Sequence, residues 1–122
     1  MLRILVADDN QLMRSLMTRI FRDLLPEAEI LVAESGEEAV QLARACEGDL
    51  RLAILDYQMA GMNGIDCAQK LRELHASIDV RIITGEFLDP VLEDGAALGI
   101  RVMPKPPTRQ GFEPIVDELM DR

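Results

Sequence analysis

No apolar run in the 122 residues approaches the roughly 20 that a membrane-spanning helix needs, and the N-terminus carries no secretory-signal pattern. A cytoplasmic protein with no membrane partner is therefore expected. Cysteine is scarce: Cys46 and Cys67 both fall in segments that read as helical, without metal-ligand spacing, which makes them small reduced hydrophobes. Basic residues are also in deficit. Against 22 Asp and Glu there are 13 Lys and Arg, a formal net charge of -9. That balance argues against a direct nucleic-acid interface, which needs a basic stripe, and suits a soluble protein that meets a cation or a partly basic protein surface. The single histidine, His75, reads as a solvated helix-end residue. There is no low-complexity tract and no internal repeat. What remains is globular, at 48% hydrophobic and 29% charged, and long enough for one domain, 1–122, with a substantial core.

Five short aliphatic runs alternate with segments of helical periodicity. Leu2–Ala7 is the first strand, and Leu12, Met13, Leu16, Met17, Ile20 and Leu24 follow at helical spacing. Asp9 or Asn10 is the natural cap of that helix. Ile30–Ala33 is the second strand, and Ser35-Gly36-Glu37-Glu38 is a capping box that starts the second helix. Leu52–Leu55 is the third strand, and the third helix runs from about Gly64 to His75. Val80–Ile83 is the fourth strand. Asp89-Pro90 opens a short fourth helix, in which the interior Gly95 costs about 1 kcal/mol against alanine. Ile100–Met103 is the fifth strand. The last helix is expected near Gln110 or later, because a start capped by Thr108 would leave Pro114 in the second turn at a cost of roughly 3 kcal/mol. A β-α order repeated five times implies an α/β fold with a parallel sheet and right-handed crossovers. Five units are too few for an eight-fold barrel, so an open doubly wound sheet is expected.

The stretch Leu52-Ala53-Ile54-Leu55-Asp56 organises the chemistry. A run apolar on both faces is a central strand, and open α/β sheets bind ligands at the carboxyl edge, where Asp56 falls. The other strand ends bring Asp8, Asp9, Thr84, Gly85 and Lys105 to the same rim. Two carboxylates about 4 Å apart repel by roughly 4 kcal/mol at an effective dielectric near 20, so three gathered together call for a cation. Lys105 supplies one positive charge, and a hard divalent ion such as Mg²⁺ suits the remainder. Such a rim fits a phosphoryl group, with the Thr84 hydroxyl and the Gly85 amide as donors and Asp56, on the central strand, as the nucleophile.

These residues resemble the receiver domains of two-component response regulators over essentially the whole chain. The resemblance is carried by Asp8-Asp9-Asn10 with Leu12-Met13-Arg14, by Asp56-x-x-Met59-x-x-Met62-x-Gly64, and by Thr84-Gly85 and Lys105-Pro106, each after its proper strand. It implies a flavodoxin-like (βα)5 fold with strand order 2-1-3-4-5. It also implies that Asp56 is the phosphoacceptor for a phosphohistidine on a sensor histidine kinase or phosphotransfer protein. Asp9, Asp56 and the Gln58 carbonyl would bind Mg²⁺ or Mn²⁺ directly, with Asp8 acting through water. Thr84 and Lys105 would contact the phosphoryl oxygens. Members of the family catalyse their own phosphorylation and dephosphorylation, and Gln58 and Glu86 stand where the rate of the latter is tuned. The peptide corresponding to Lys105-Pro106 is often cis in the family, and proline makes that possible here.

Four positions depart from the family pattern. Ala60 replaces a usual proline, Val102 stands where a switching aromatic ring is usual, the segment from Thr84 to Lys105 is one residue short, and Gly111 with Pro114 is expected to shorten the last helix. The last three lie on the usual output side. The expectation is a retained phosphorylation that alters the surface around residues 84–116, and so partner binding, with the fourth helix as a poorly held, mobile reader. The partner downstream would be a separate protein target or an output domain beyond Arg122, and the chain a monomer or weak dimer. Two other readings stand beside this one. A small aspartyl-phosphate phosphotransferase or phosphatase is disfavoured by Gln58, where such enzymes often place a second Asp. A phosphate-independent receiver-like scaffold is disfavoured by the full set of site residues.

Overall fold

The computed structural model describes residues 1–85 and 90–121, together with the backbone but not the side chain of Asp89. Five strands alternate with five helices: β1 (Arg3–Ala7), α1 (Gln11–Leu24), β2 (Glu29–Ala33), α2 (Gly36–Ala45), β3 (Leu50–Asp56), α3 (Gly64–Leu74), β4 (Asp79–Thr84), α4 (Asp89–Ala97), β5 (Arg101–Pro104) and α5 (Arg109–Met120). The strands form one parallel sheet in the order β2-β1-β3-β4-β5. β3 is central, and its Leu52–Leu55 run is buried throughout because helices cover both faces.

Alternation along the strands sorts the core into two layers. Leu5, Ala7, Ala53, Leu55, Val80 and Ile82 meet α2 and α3, while Ile4, Val6, Leu52, Ile54 and Ile83 meet α1 and α5. Phe21 of α1 stacks on Phe112 of α5 with ring centroids 4.9 Å apart. Cys67 is buried and Cys46 half-buried, both free thiols; burial, then the Glu37 charge, pushes Cys67 up to about 12, which suits an inert packing residue.

Caps follow the sequence at α1 and α2: Asn10 Oδ1 accepts the Met13 amide and Ser35 Oγ the Glu38 amide. At α5 the expectation fails. Thr108 is the cap, its Oγ1 accepting the Gly111 amide at 3.0 Å, and the helix begins at Arg109 with Pro114 inside it. Nor do Gly111 and Pro114 shorten this helix, which runs for 12 residues. The proline cost is real but outweighed. Phe112, Ile115, Val116 and Leu119 are buried, and at about 1.5–3 kcal/mol each the four together outweigh the roughly 3 kcal/mol a helical proline costs. Pro114 itself faces solvent, where water can bond the carbonyl its missing amide frees.

The C-terminal end of the fourth helix is anchored on β5. Gly95 is where it meets β5: a Cβ there would stand 2.8 Å from the Ile100 carbonyl oxygen and 2.9 Å from Val102 Cγ2. The Ile100 amide closes the turn on the Gly95 carbonyl at 2.7 Å. Arg72, reaching from α3, donates to the Leu98 carbonyl at 2.5 Å and the Gly99 carbonyl at 3.5 Å, which supplies the cation that the last turn of α4 lacks. Gly95→Ala should therefore lower stability by about 1–3 kcal/mol despite alanine's better helix propensity. Urea denaturation checks this; a stabilised variant would show that α4 does not press on β5.

Candidate functional site

The carboxyl ends of β1, β3, β4 and β5 meet at one cleft of about 770 Å³, lined among others by Asp9, Asp56, Gln58, Thr84, Gly85 and Lys105. Asp8 lies beneath it, fully buried, while Asp9 stands exposed at the rim. One carboxylate oxygen from each of Asp8, Asp9 and Asp56 falls within 4.8 Å of the others. All seven residues expected at the site are thus brought to one place. Glu86 lies outside the described residues.

The backbone aims these groups. Asp8 Oδ1 accepts the Asn10 amide at 2.9 Å, in the tight turn that leads to α1, and Arg14 of α1 donates to the Asp8 carbonyl at 2.9 Å. After β3, the Gln58 amide donates to Asp56 Oδ1 at 3.3 Å, and the Gly64 amide closes the following loop on the Tyr57 carbonyl at 2.9 Å. Asn63 Oδ1 caps α3 by accepting the Asp66 amide. Lys105 is set by its own amide, which donates to the Thr84 carbonyl at 2.9 Å, and its peptide to Pro106 is cis, as the resemblance allows.

The electrostatics follow from burial. Lys105 Nζ stands 2.8 Å from Asp8 Oδ2 and 3.2 Å from Asp56 Oδ1. Burial, then the Asp8 charge, raises Asp56 from 3.8 to about 6, with Lys105 and the Gln58 amide pulling it part of the way back. Burial opposes the Lys105 charge, yet the Asp8 and Asp56 carboxylates outweigh it and raise its pKa above lysine's ordinary value. One ammonium among three carboxylates leaves a net negative site. Lys105 Nζ is the cationic partner of the buried Asp8 Oδ2, and it is shared with Asp56. Three carboxylate oxygens within 4.8 Å of one another, with one ammonium between two of the groups, fit a hard divalent cation.

Sequence reasoning missed one contact here. Glu37, which the sequence places in the capping box at the start of α2, is exposed, yet its Oε1 accepts the Met62 amide in the loop after Asp56.

Residues 4–111 match a family model described as the response regulator receiver domain. Among curated proteins, the response regulator GacA of Pseudomonas viridiflava is 35% identical over 101 residues, covering 80% of this chain and 46% of its own length. The chain thus spans less than half of that relative. Among solved structures, the signal receiver domain of a DNA binding response regulator protein from Colwellia psychrerythraea 34H aligns with a TM-score of 0.87 at 24% identity, with 100% of both chains covered. The receiver domain of the hybrid histidine kinase CckA aligns with a TM-score of 0.77 at 28% identity, covering 97% of this chain and 98% of that one.

Proposed function

This chain belongs to the response regulator receiver domains, and on that premise we propose that it is a signalling switch that takes a phosphoryl group onto Asp56. The observation that carries the proposal is the setting of Asp56: buried at the end of the central strand, against Lys105 and within one cluster with Asp8 and Asp9. The donor is a phosphohistidine on a sensor histidine kinase or phosphotransfer protein. An Asp56 carboxylate oxygen attacks phosphorus, the P–N bond breaks, and the electron pair leaves with the imidazole, which takes up a proton. A pKa of about 6 leaves Asp56 mostly ionised near neutral pH, as a nucleophile requires. Its Oδ1 is engaged by the Gln58 amide and Lys105, which orients the other oxygen for attack.

Lys105, the Thr84 hydroxyl and the Gly85 amide hold the incoming phosphoryl oxygens, as the cleft they line allows. Asp9, Asp56 and the Gln58 carbonyl, with Asp8 behind them, would hold Mg²⁺ or Mn²⁺, which when bound neutralises charge on both carboxylates and phosphoryl oxygens. Once phosphorylated, Thr84 and Lys105 rearrange around the new oxygens, and the surface around residues 84–116 changes. Val102 offers no ring to rotate, and α4 rests directly on it through Gly95, so the change passes through the helix as a unit. The reader is a downstream protein or a linked output domain, the setting is the cytoplasm, and residues 1–122 act as one receiver domain, monomeric or weakly dimeric. The net charge of -9 is unsuited to direct nucleic-acid contact, and no helix among the described residues is long and apolar enough to cross a membrane.

Incubation with Mg²⁺ and acetyl phosphate, followed by weighing the intact protein, tests the assignment. The native chain should gain one phosphoryl group and Asp56→Asn none. An Asp56→Asn chain that still labels would sink it, and multiple turnovers on a soluble phosphomonoester would favour a metabolite phosphatase.

A further inference from the structure

We propose that Glu37 is a positioning residue of the phosphoryl site, acting from α2 to fix the loop that carries Gln58; the inference rests on the reading of Asp56 as phosphoacceptor. Residues 57–63 form a loop with two faces. One lines the cleft through Gln58, Met59, Ala60 and Asn63. The other meets the first turn of α2, and three observations show how closely.

Glu37 Oε1 accepts the Met62 amide at 3.1 Å. A Cβ on Gly36 would stand 3.0 Å from Met62 Cβ and 3.1 Å from its carbonyl oxygen, so the helix backbone lies directly on the loop. Gly61 has φ +82, and a Cβ there would stand 2.7 Å from Glu37 Oε1. The carboxylate fills the room that a side chain at position 61 would take. Glu37 gives residues 59–62 a hydrogen bond to α2, beside the packing of Met59 and Met62 on the core. With Ala60 leaving its φ unrestrained, this clamp and the Gly64–Tyr57 closure add directional bonds to the apolar anchorage of Met59 in the core. Gln58, whose amide donates to Asp56 Oδ1 and whose carbonyl faces the cation in the reading above, moves with that loop. The negative charge of Glu37 also suits the N-terminal turn in which it sits.

The test uses Glu37→Ala, which removes the acceptor, and Glu37→Gln, whose side-chain oxygen can accept the same bond. Both change an exposed residue, and thermal melting confirms that they fold. Mg²⁺ binding is followed by the fluorescence of Tyr57, the sole tyrosine in a chain without tryptophan. Exchange of the Met62 amide and the lifetime of the phosphorylated form are measured alongside. Glu37→Ala should bind Mg²⁺ about tenfold more weakly, as loss of a residue that orients ligands does, with faster Met62 exchange, while Glu37→Gln stays near the native values. A Glu37→Ala chain that matches the native one in Mg²⁺ affinity and phosphoryl lifetime overturns the proposal. So does a Glu37→Gln chain as impaired as Glu37→Ala, since the hydrogen bond would then not be the cause. A native chain that takes neither Mg²⁺ nor phosphate overturns the reading of Asp56 instead, and this inference with it.

Discussion

Gly64→Ala is expected to destabilise the chain by about 2–4 kcal/mol and to slow phosphoryl transfer to Asp56 by about a hundredfold. A Cβ at position 64 would lie 2.5 Å from the Asp56 carbonyl oxygen and 3.0 Å from Ile82 Cδ1. The Ile82 methyl can yield, but the carbonyl cannot. It belongs to β3, which is paired to β1 on one side and β4 on the other and so cannot shift alone. The first turn of α3 has to move instead, and that motion breaks the bond from the Gly64 amide to the Tyr57 carbonyl. The loop bearing Gln58 then loses its far anchor. Gly85 supplies the control, because a Cβ there meets nothing within 4 Å. Gly85→Ala should leave stability within about 0.5 kcal/mol of the native value. Urea midpoints and the rate of labelling by acetyl phosphate check both. If Gly64→Ala labels at the native rate, the glycine does not set the position of Asp56.

The same glycine shows what a sequence can and cannot disclose about this site. Asp56 was legible because a buried strand leaves a continuous apolar run and the carboxylate ends it. Asp8, Asp9, Thr84 and Lys105 were legible for the same reason, since each follows a strand and strand ends converge on one edge. The strand order β2-β1-β3-β4-β5 was not in that pattern; it followed from the resemblance, and the sheet agrees. The start of α5 was misjudged by weighing a local cap against a local proline, when the docking of Phe112 and its neighbours decides the balance. Arg72 reaching the end of α4, and Glu37 reaching Met62, join residues 26 and 25 positions apart and leave no periodic trace. Their only mark in the sequence is glycine, at 36, 61 and 95, and a glycine by itself does not say what presses against it.

In metal-free buffer near pH 8, Asp56→Asn should be more stable than the native chain, by up to about 3 kcal/mol. The folded chain raises Asp56 from 3.8 to about 6, through burial first and the charge of Asp8 second. A carboxyl whose folded pKa exceeds its unfolded value binds its proton more tightly in the folded state. Its favourable contribution is therefore complete below 3.8 and is lost as the pH rises through about 6. Asparagine carries no charge and escapes that loss. The two chains should thus converge in stability near pH 4 and separate between there and about pH 6, beyond which the gap is constant. Lys105 does not reverse the sign: its attraction is already contained in the value of about 6, and it keeps Asp8 Oδ2 at 2.8 Å as a partner when Asp56 is neutralised. Mg²⁺ should close the gap, because a ligand at a hundred times its dissociation constant adds about 2.7 kcal/mol to the chain that binds it, and the variant offers two carboxylates where the native site offers three. Urea denaturation across pH, with chelator and with Mg²⁺, measures every arm. Equal stabilities near pH 8 without metal would mean that Asp56 is not held charged against its surroundings. The expected result makes the nucleophile a source of instability that cation and phosphoryl group relieve, so occupancy of the site would tighten the same β3 edge from which the loop to α3 departs.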